Sequence, residues 1–158
     1  VTMAYYFDIL EPTENFDESL DALTHNLGTL YLESWEKDKR ETYKRAFNLN
    51  IATFAHLWFS KSLKLFMAYE EGTNKPIGFI IGMVFRPLPY EANVFQFEDW
   101  YMGGDTQMER DMFKYATDAI RFIGCDELWV ADRADRTPPV AGGWKEENTF
   151  QFHRYTKR

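Results

Sequence analysis

The chain has little cysteine, little positive charge and no long apolar run, and each shortage removes a class of protein. A single cysteine, Cys125, cannot build a disulfide framework and suits a reducing compartment. No apolar run nears the roughly 18 residues that a membrane helix needs. Val1 to Tyr6 shows neither the basic segment nor the cleavage site of a secretory leader. A soluble protein of the cytoplasm is the expectation. Lys and Arg number 18 against 25 Asp and Glu, for a net charge of −7. That opposes nucleic-acid binding, which draws its affinity from cations that neutralise phosphates. The basic residues Lys37, Lys39, Arg40, Lys44 and Arg45 are interleaved with Glu36, Asp38 and Glu41, the pattern of a solvated, salt-bridged helix face. His25, His56 and His153 form no HExxH-type pair, so no metal site is expected. No G-x-S-x-G elbow, P-loop or dinucleotide fingerprint occurs.

What is present fits a single domain over 1–158. The 158 residues lie within the usual domain size, with 45% hydrophobic and 27% charged residues as in ordinary globular proteins. Aromatics are plentiful, with 14 Phe, 9 Tyr and 5 Trp. They fill cores and are enriched at interfaces, so a bulky core and an aromatic partner surface are both open readings.

Tyr5 to Leu10 reads as a first strand. Asn15, with Glu18 three residues on, reads as a helix N-cap and its capping-box partner. Leu20, Leu23 and Leu27 share the helical face that follows, and Gly28 is the expected stop. Phe47, Ile51, Phe54 and Trp58 mark a second helical stretch. The period then becomes alternating. Leu63, Leu65, Met67 and Tyr69 line one face of a strand, and 71–75 reads as a turn. Ile77 to Phe85 is almost wholly apolar, a strand buried on both faces, in which Gly78 and Gly82 predict a bulge or a close backbone approach. Arg86-Pro87-Leu88-Pro89 ends it.

Val94 to Tyr101 alternates again, with Val94, Gln96, Glu98 and Trp100 on one face and Phe95, Phe97, Asp99 and Tyr101 on the other. Gly103-Gly104-Asp105 leads into a helix marked by Met108, Met112, Tyr115, Ala119 and Phe122. Thr106 and Glu109 form its expected capping box, and Gly124 its terminal glycine. Leu128 to Val130 reads as a short buried strand, 132–143 as irregular and Phe150 to Thr156 as a last strand. Cys125, just after the helix stop, reads as packing rather than as a nucleophile.

Strand, two helices, a three-strand meander, helix, strand, loop and strand is an order that resembles the GNAT (GCN5-related N-acetyltransferase) fold. The likeness runs from about Tyr5 to Lys157, most closely from Leu65 to Val130. It implies an α/β (α+β) architecture, a mixed, mostly antiparallel central sheet flanked by helices. In that family a loop of form Arg/Gln-x-x-Gly-x-Gly/Ala opens the third helix and holds the cofactor's pyrophosphate. Gly103 to Thr106 takes the loop's place here and Glu109 to Ile123 the helix's. Gly143-Trp144-Lys145-Glu146-Glu147 is similar to the Gly-Phe-x-x-Glu that often precedes the last strands. Counted from Tyr101, the family's small residues fall near Gln107, Glu109 and Asp111, where two carboxylates would stand beside a pyrophosphate. By the resemblance, an active protein would hold acetyl-CoA through Tyr101, Met102, Gly103, Gly104, Gln107 and Arg110. Glu98 or Asp99 would serve as general base, with a pKa raised by burial, and Tyr155 as the only late candidate for the acid.

Two functions follow. The first is a GNAT-fold protein with a degenerate loop and no cofactor, a binding or structural module that meets a protein partner through its aromatic surface. The ending Phe150 to Lys157 is loosely similar to small acetyltransferase-like accessory proteins of tailed bacteriophages, which implies a virion or assembly accessory made in the host cytoplasm. The second is an active N-acetyltransferase that moves acetyl from acetyl-CoA to an amine through a displaced Gly103-Gly104 loop. An acidic mimic of nucleic acid rests on the charge alone.

Overall fold

The computed structural model describes residues 4–31, 33, 51–87, 91–130, 139–140, 143–146 and 157. Along them run β1 (Tyr5–Ile9), α1 (Phe16–Leu23) with a π-helical turn at Thr24–Gly28, α2 (Ile51–Phe59), β2 (Leu63–Glu70), β3 (Pro76–Phe85), β4 (Val94–Tyr101), α3 (Thr106–Phe122) and β5 (Glu127–Val130). One five-stranded sheet forms in the order β1-β2-β3-β4-β5, antiparallel except for the parallel β4–β5 pair. This is the mixed, mostly antiparallel sheet flanked by helices that the element order implied. The basic stretch at 37–45, Phe47, most of 132–143 and the expected last strand at 150–156 lie outside the described residues.

The two apolar faces of β2 and β3 explain the layering. Leu65, Met67, Phe79 and Ile81 pack against Leu23, Leu27 and Trp58 on one side of the sheet. Phe66, Ala68 and Ile80, joined by Phe95, Phe97 and Trp100 of β4, pack against Met108, Met112, Phe113, Ala116 and Ile120 of α3 on the other. Each large side chain so buried contributes roughly 1.5–3 kcal/mol relative to exposure. Edge-on aromatic pairs such as Trp100–Phe113, 5.4 Å between centroids, and Phe95–Phe97, 5.0 Å, knit the α3 side.

Local signals explain most of the ends. Asn15 Oδ1 accepts from the Glu18 N–H at 3.0 Å, while the Asn15 N–H donates to Thr13 Oγ1. Gly28 does not stop the helix. It lies inside the π-helical turn and right-handed backbone continues at Thr29, whereas a glycine stop requires left-handed backbone. Gly124 does provide that stop, at φ +94°. Its N–H donates to Arg121 O and the Cys125 N–H to Ile120 O, the paired bonds of a Schellman motif. Two further expectations are corrected. Phe122 is 93% exposed, because the buried stripe of α3 drifts onto Phe113, Ala116 and Ile120. β5 is half-buried rather than buried.

Candidate functional site

β4 carries a bulge where the candidate base lies. Ile81 of β3 pairs with Asp99 and Gly82 with Phe97, which leaves Glu98 as the extra residue. Two close approaches drive the irregularity. A Cβ on Gly82 would stand 2.1 Å from Phe95 Cζ and 2.8 Å from Gln96 O, so β4 reaches over a bare backbone there. The bulge breaks the simple alternation expected for this strand. Trp100 joins Phe95 and Phe97 on the α3 side, while Tyr101 turns to the α1 side. Parallel pairing with β5 runs from Val94–Glu127 to Phe97–Val130 among the described residues.

Glu98 and Asp99 are adjacent but differently placed. Asp99 is buried and its Oδ1 accepts from the Trp100 N–H at 2.8 Å. Glu98 is exposed as a residue, yet its carboxyl is partly desolvated. That desolvation, and then the charge of Asp99, push its pKa above the usual carboxylate value. A carboxyl tuned in that direction is better suited to accept a proton near neutral pH. Tyr155 lies outside the described residues.

At the end of β4 the chain turns through Gly103 and Gly104, at φ +62° and +88°, into α3. The N-cap is Asp105, not Thr106. Asp105 has extended backbone, and its Oδ1 accepts from the Met108 N–H at 2.9 Å. The two left-handed glycines set Asp105 at the junction and leave Thr106 as the first helical residue, so the cap lies one position before the one expected and Met108, not Glu109, stands at the third helical position. Beyond the cap, Arg110 donates to Gln107 Oε1 at 2.9 Å, Gln107 Nε2 to Asp111 Oδ1 at 2.9 Å, and the Tyr5 hydroxyl to Asp111 Oδ2. The hydrogen bond to Asp111, then desolvation, pushes the Tyr5 pKa up to about 12. Of the six candidate cofactor residues, Met102 is buried with its sulfur against Gly78, and Tyr101 is buried on the α1 side. Gly103 and Gly104 are exposed backbone, and Gln107 and Arg110 belong to the Asp111 chain.

This helix start matches a pyrophosphate poorly. One N–H at its positive end already serves the Asp105 carboxylate, and Glu109 stands in the first turn. An incoming dianion would have to displace one carboxylate and approach others. The Asp105 cap was readable from Gly-Gly-Asp, since Asp is among the best N-cap residues. The Tyr5–Asp111 link joins residues 106 positions apart and has no local signal.

A cavity of about 400 Å³ lies on the α1 side at the end of β4. Among the described residues no group of three or more His, Cys, Asp or Glu could hold a metal ion, and no helix is long and apolar enough to cross a membrane. Cys125 is buried, with its thiol pKa pushed up by desolvation.

The meander, the bulged fourth strand, the parallel fifth strand and the helix between them define the fold of the GNAT acetyltransferases. Solved structures show the same. An aminoglycoside acetyltransferase from an uncultured soil metagenomic sample, in complex with sisomicin, is 17% identical, with 97% of each chain covered and a TM-score of 0.66. The ribosomal-protein-alanine N-acetyltransferase of Brucella melitensis biovar Abortus 2308 is 13% identical over 95% of this chain and 100% of its own, at 0.58. A probable acetyltransferase is 13% identical over 99% of each chain, at 0.58. Neither a protein-family profile nor a curated protein sequence matches the chain.

Proposed function

We propose that this is a GNAT-fold binding module whose acyl-CoA cradle has degenerated, and that it works through a protein partner rather than by acetyl transfer. The observation that carries this reading is the start of α3, where Asp105 caps the helix and Asp111 gathers Gln107, Arg110 and Tyr5 into one chain. The Met108 N–H and the Gln107 amide nitrogen are committed to carboxylates, and Arg110 to the Gln107 amide oxygen. The ending Phe150 to Lys157 supports an accessory role in a phage virion or its assembly. Calorimetric titration with acetyl-CoA at low salt tests the reading. No saturable heat and no thermal stabilisation are expected at millimolar ligand, whereas one-to-one binding in the micromolar range would overturn it.

A second reading, an active N-acetyltransferase, is favoured by Glu98, whose carboxyl pKa is raised and which sits on a bulge next to the Phe97–Val130 pair. In that case Glu98 takes the proton from the acceptor amine. Acetyl-CoA with sisomicin, the ligand of the soil aminoglycoside enzyme, is a direct assay. Glu98→Gln should lower any turnover by about 100-fold or more. An unchanged rate removes Glu98 from the mechanism.

A further inference from the structure

The apolar row of α1 runs past the edge of its core. Phe16, Leu20 and Leu23 follow at i, i+4 and i+7, yet Leu23 is buried whereas Phe16, the first residue of the helix, is 58% exposed. Its ring stacks on Phe59, the last residue of α2, with centroids 5.1 Å apart and planes 19° from parallel. Phe59 takes one face of the ring, and the exposure lies on the rest. The backbone beneath is fixed. The Thr13 N–H donates to Ser19 Oγ at 2.8 Å, Asn15 caps the helix, and Ser19 is buried. An aromatic held out on so fixed a turn loses little freedom when a partner covers it.

The charge around that ring has one sign. From Ala4 to Tyr31 the chain holds no Lys or Arg, while Glu11, Glu14, Asp17, Glu18 and Asp21 are all exposed. Among the described residues none of these carboxylates has an ion pair or a side-chain hydrogen bond. One exposed cation, Lys61, lies two positions past Phe59 and is outnumbered. A second copy of the chain would bring the same carboxylates against this face across a two-fold axis, and like charges oppose that. We infer that the start of α1 docks an arginine-rich segment of a protein partner, with one guanidinium stacked on Phe16 and its neighbours held by the carboxylates. Arginine suits both features, because its planar guanidinium stacks on an aromatic face and also pairs with carboxylates, which a lysine ammonium does less well. The inference rests on the binding-module reading and gives that module a surface. His25 of the same helix borders the cavity that Gly103 lines, and Phe16 lies nine residues before it, on the order of 13 Å along a helix. The two regions can therefore be observed separately.

The test is an amide NMR titration of the full chain, at low salt, with a capped Gly-Arg-Gly-Arg-Gly-Arg-Gly peptide. Its lysine analogue keeps the charge, and its citrulline analogue keeps the shape without the charge. Saturable shifts at Phe16, Asp17 and Phe59 are expected with the arginine peptide below about 1 mM, about threefold weaker binding of the lysine peptide, and none of the citrulline peptide. Added salt should weaken the complex, since the charges involved are exposed. Phe16→Ala should weaken it about threefold, and so should Phe16→Leu, which keeps an apolar contact on Phe59 but loses the ring. Phe122→Ala, at an exposed ring on the other face of the sheet, should change nothing. No saturable shift with the arginine peptide would overturn the inference. So would a lysine peptide that binds as well, undiminished binding by both Phe16 variants, or shifts at Phe16 that follow protein concentration without peptide. Acetyl-CoA added to the same sample reports at Gly103 and Gly104. Saturable shifts there would overturn the binding-module reading while the surface stands, and silence at both places would overturn the surface alone.

Discussion

At Gly82 the absence of a side chain is a packing requirement. Phe95, whose ring would stand 2.1 Å from an added methyl, is itself fully buried, and the second contact is the Gln96 carbonyl, so neither neighbour can give way. Gly82→Ala should therefore cost at least about 1–3 kcal/mol, the usual range for overpacking. Urea denaturation would show it as a lower midpoint at unchanged slope. Tyr5 and Tyr69 argue at the same scale about pH. Both pKa values are pushed up to about 12, Tyr5 mainly by its hydrogen bond to Asp111 and Tyr69 mainly by desolvation. A folded pKa above the unfolded value of 10 means that the neutral phenol is favoured in the native state. Its stabilisation is complete below pH 10 and is lost as the pH climbs toward 12. Stability measured across that window should fall, and tyrosinate absorbance should lag behind that of free tyrosine. Tyr5→Phe should make the fall shallower.

At the scale of elements, α3 shows how one charge can be separated from one cap. Asn caps a helix about as well as Asp, so Asp105→Asn should leave the melting temperature nearly unchanged, whereas Asp105→Ala should cost about 1 kcal/mol. If carboxylates are what make the helix start hostile to phosphate, the double variant Asp105→Asn, Asp111→Asn should bind acetyl-CoA more tightly than the parent by calorimetry. Equal affinity would move the cause away from charge. The elements themselves were legible in the sequence wherever the cause was local. The limits of β4, the Asn15 cap and the Gly124 stop all follow from residues within a few positions. Gly82 announced an irregularity, but not that the extra residue would be Glu98 on the facing strand. That depends on cross-strand packing against Phe95, and one inserted residue turns the rest of β4 over. Gly28 misled because the π-helical turn is held by the packing of Leu27 and Leu30, which a glycine rule does not see. The cavity was not legible at all, since it needs the π-helical turn and the residues after it to meet the start of β3.

For the whole molecule, the decisive feature is that both cores use the same strands. Phe66 and Leu65 are neighbours in β2, yet one belongs to the α3 cluster and the other to the α1 cluster; Ile80 and Ile81 divide β3 in the same way. Damage to either layer should then be felt by the other through the sheet. Phe113→Ala, beneath the sheet, should cost about 3–5 kcal/mol and Leu27→Ala, above it, about 2–5 kcal/mol, whereas Phe122→Ala at the exposed end of α3 should stay within about 0.5 kcal/mol. More telling than these sizes is the shape of the transition. If the sheet couples the layers, helix loss by far-UV dichroism and core loss by tryptophan fluorescence should coincide along a urea curve, in the parent and in both core variants alike. Trp58 reports on the α1 layer and Trp100 on the α3 layer, so single-tryptophan versions can follow each core separately. Separate midpoints for the two would mean that one layer opens while the other holds, and that the shared sheet does not couple them.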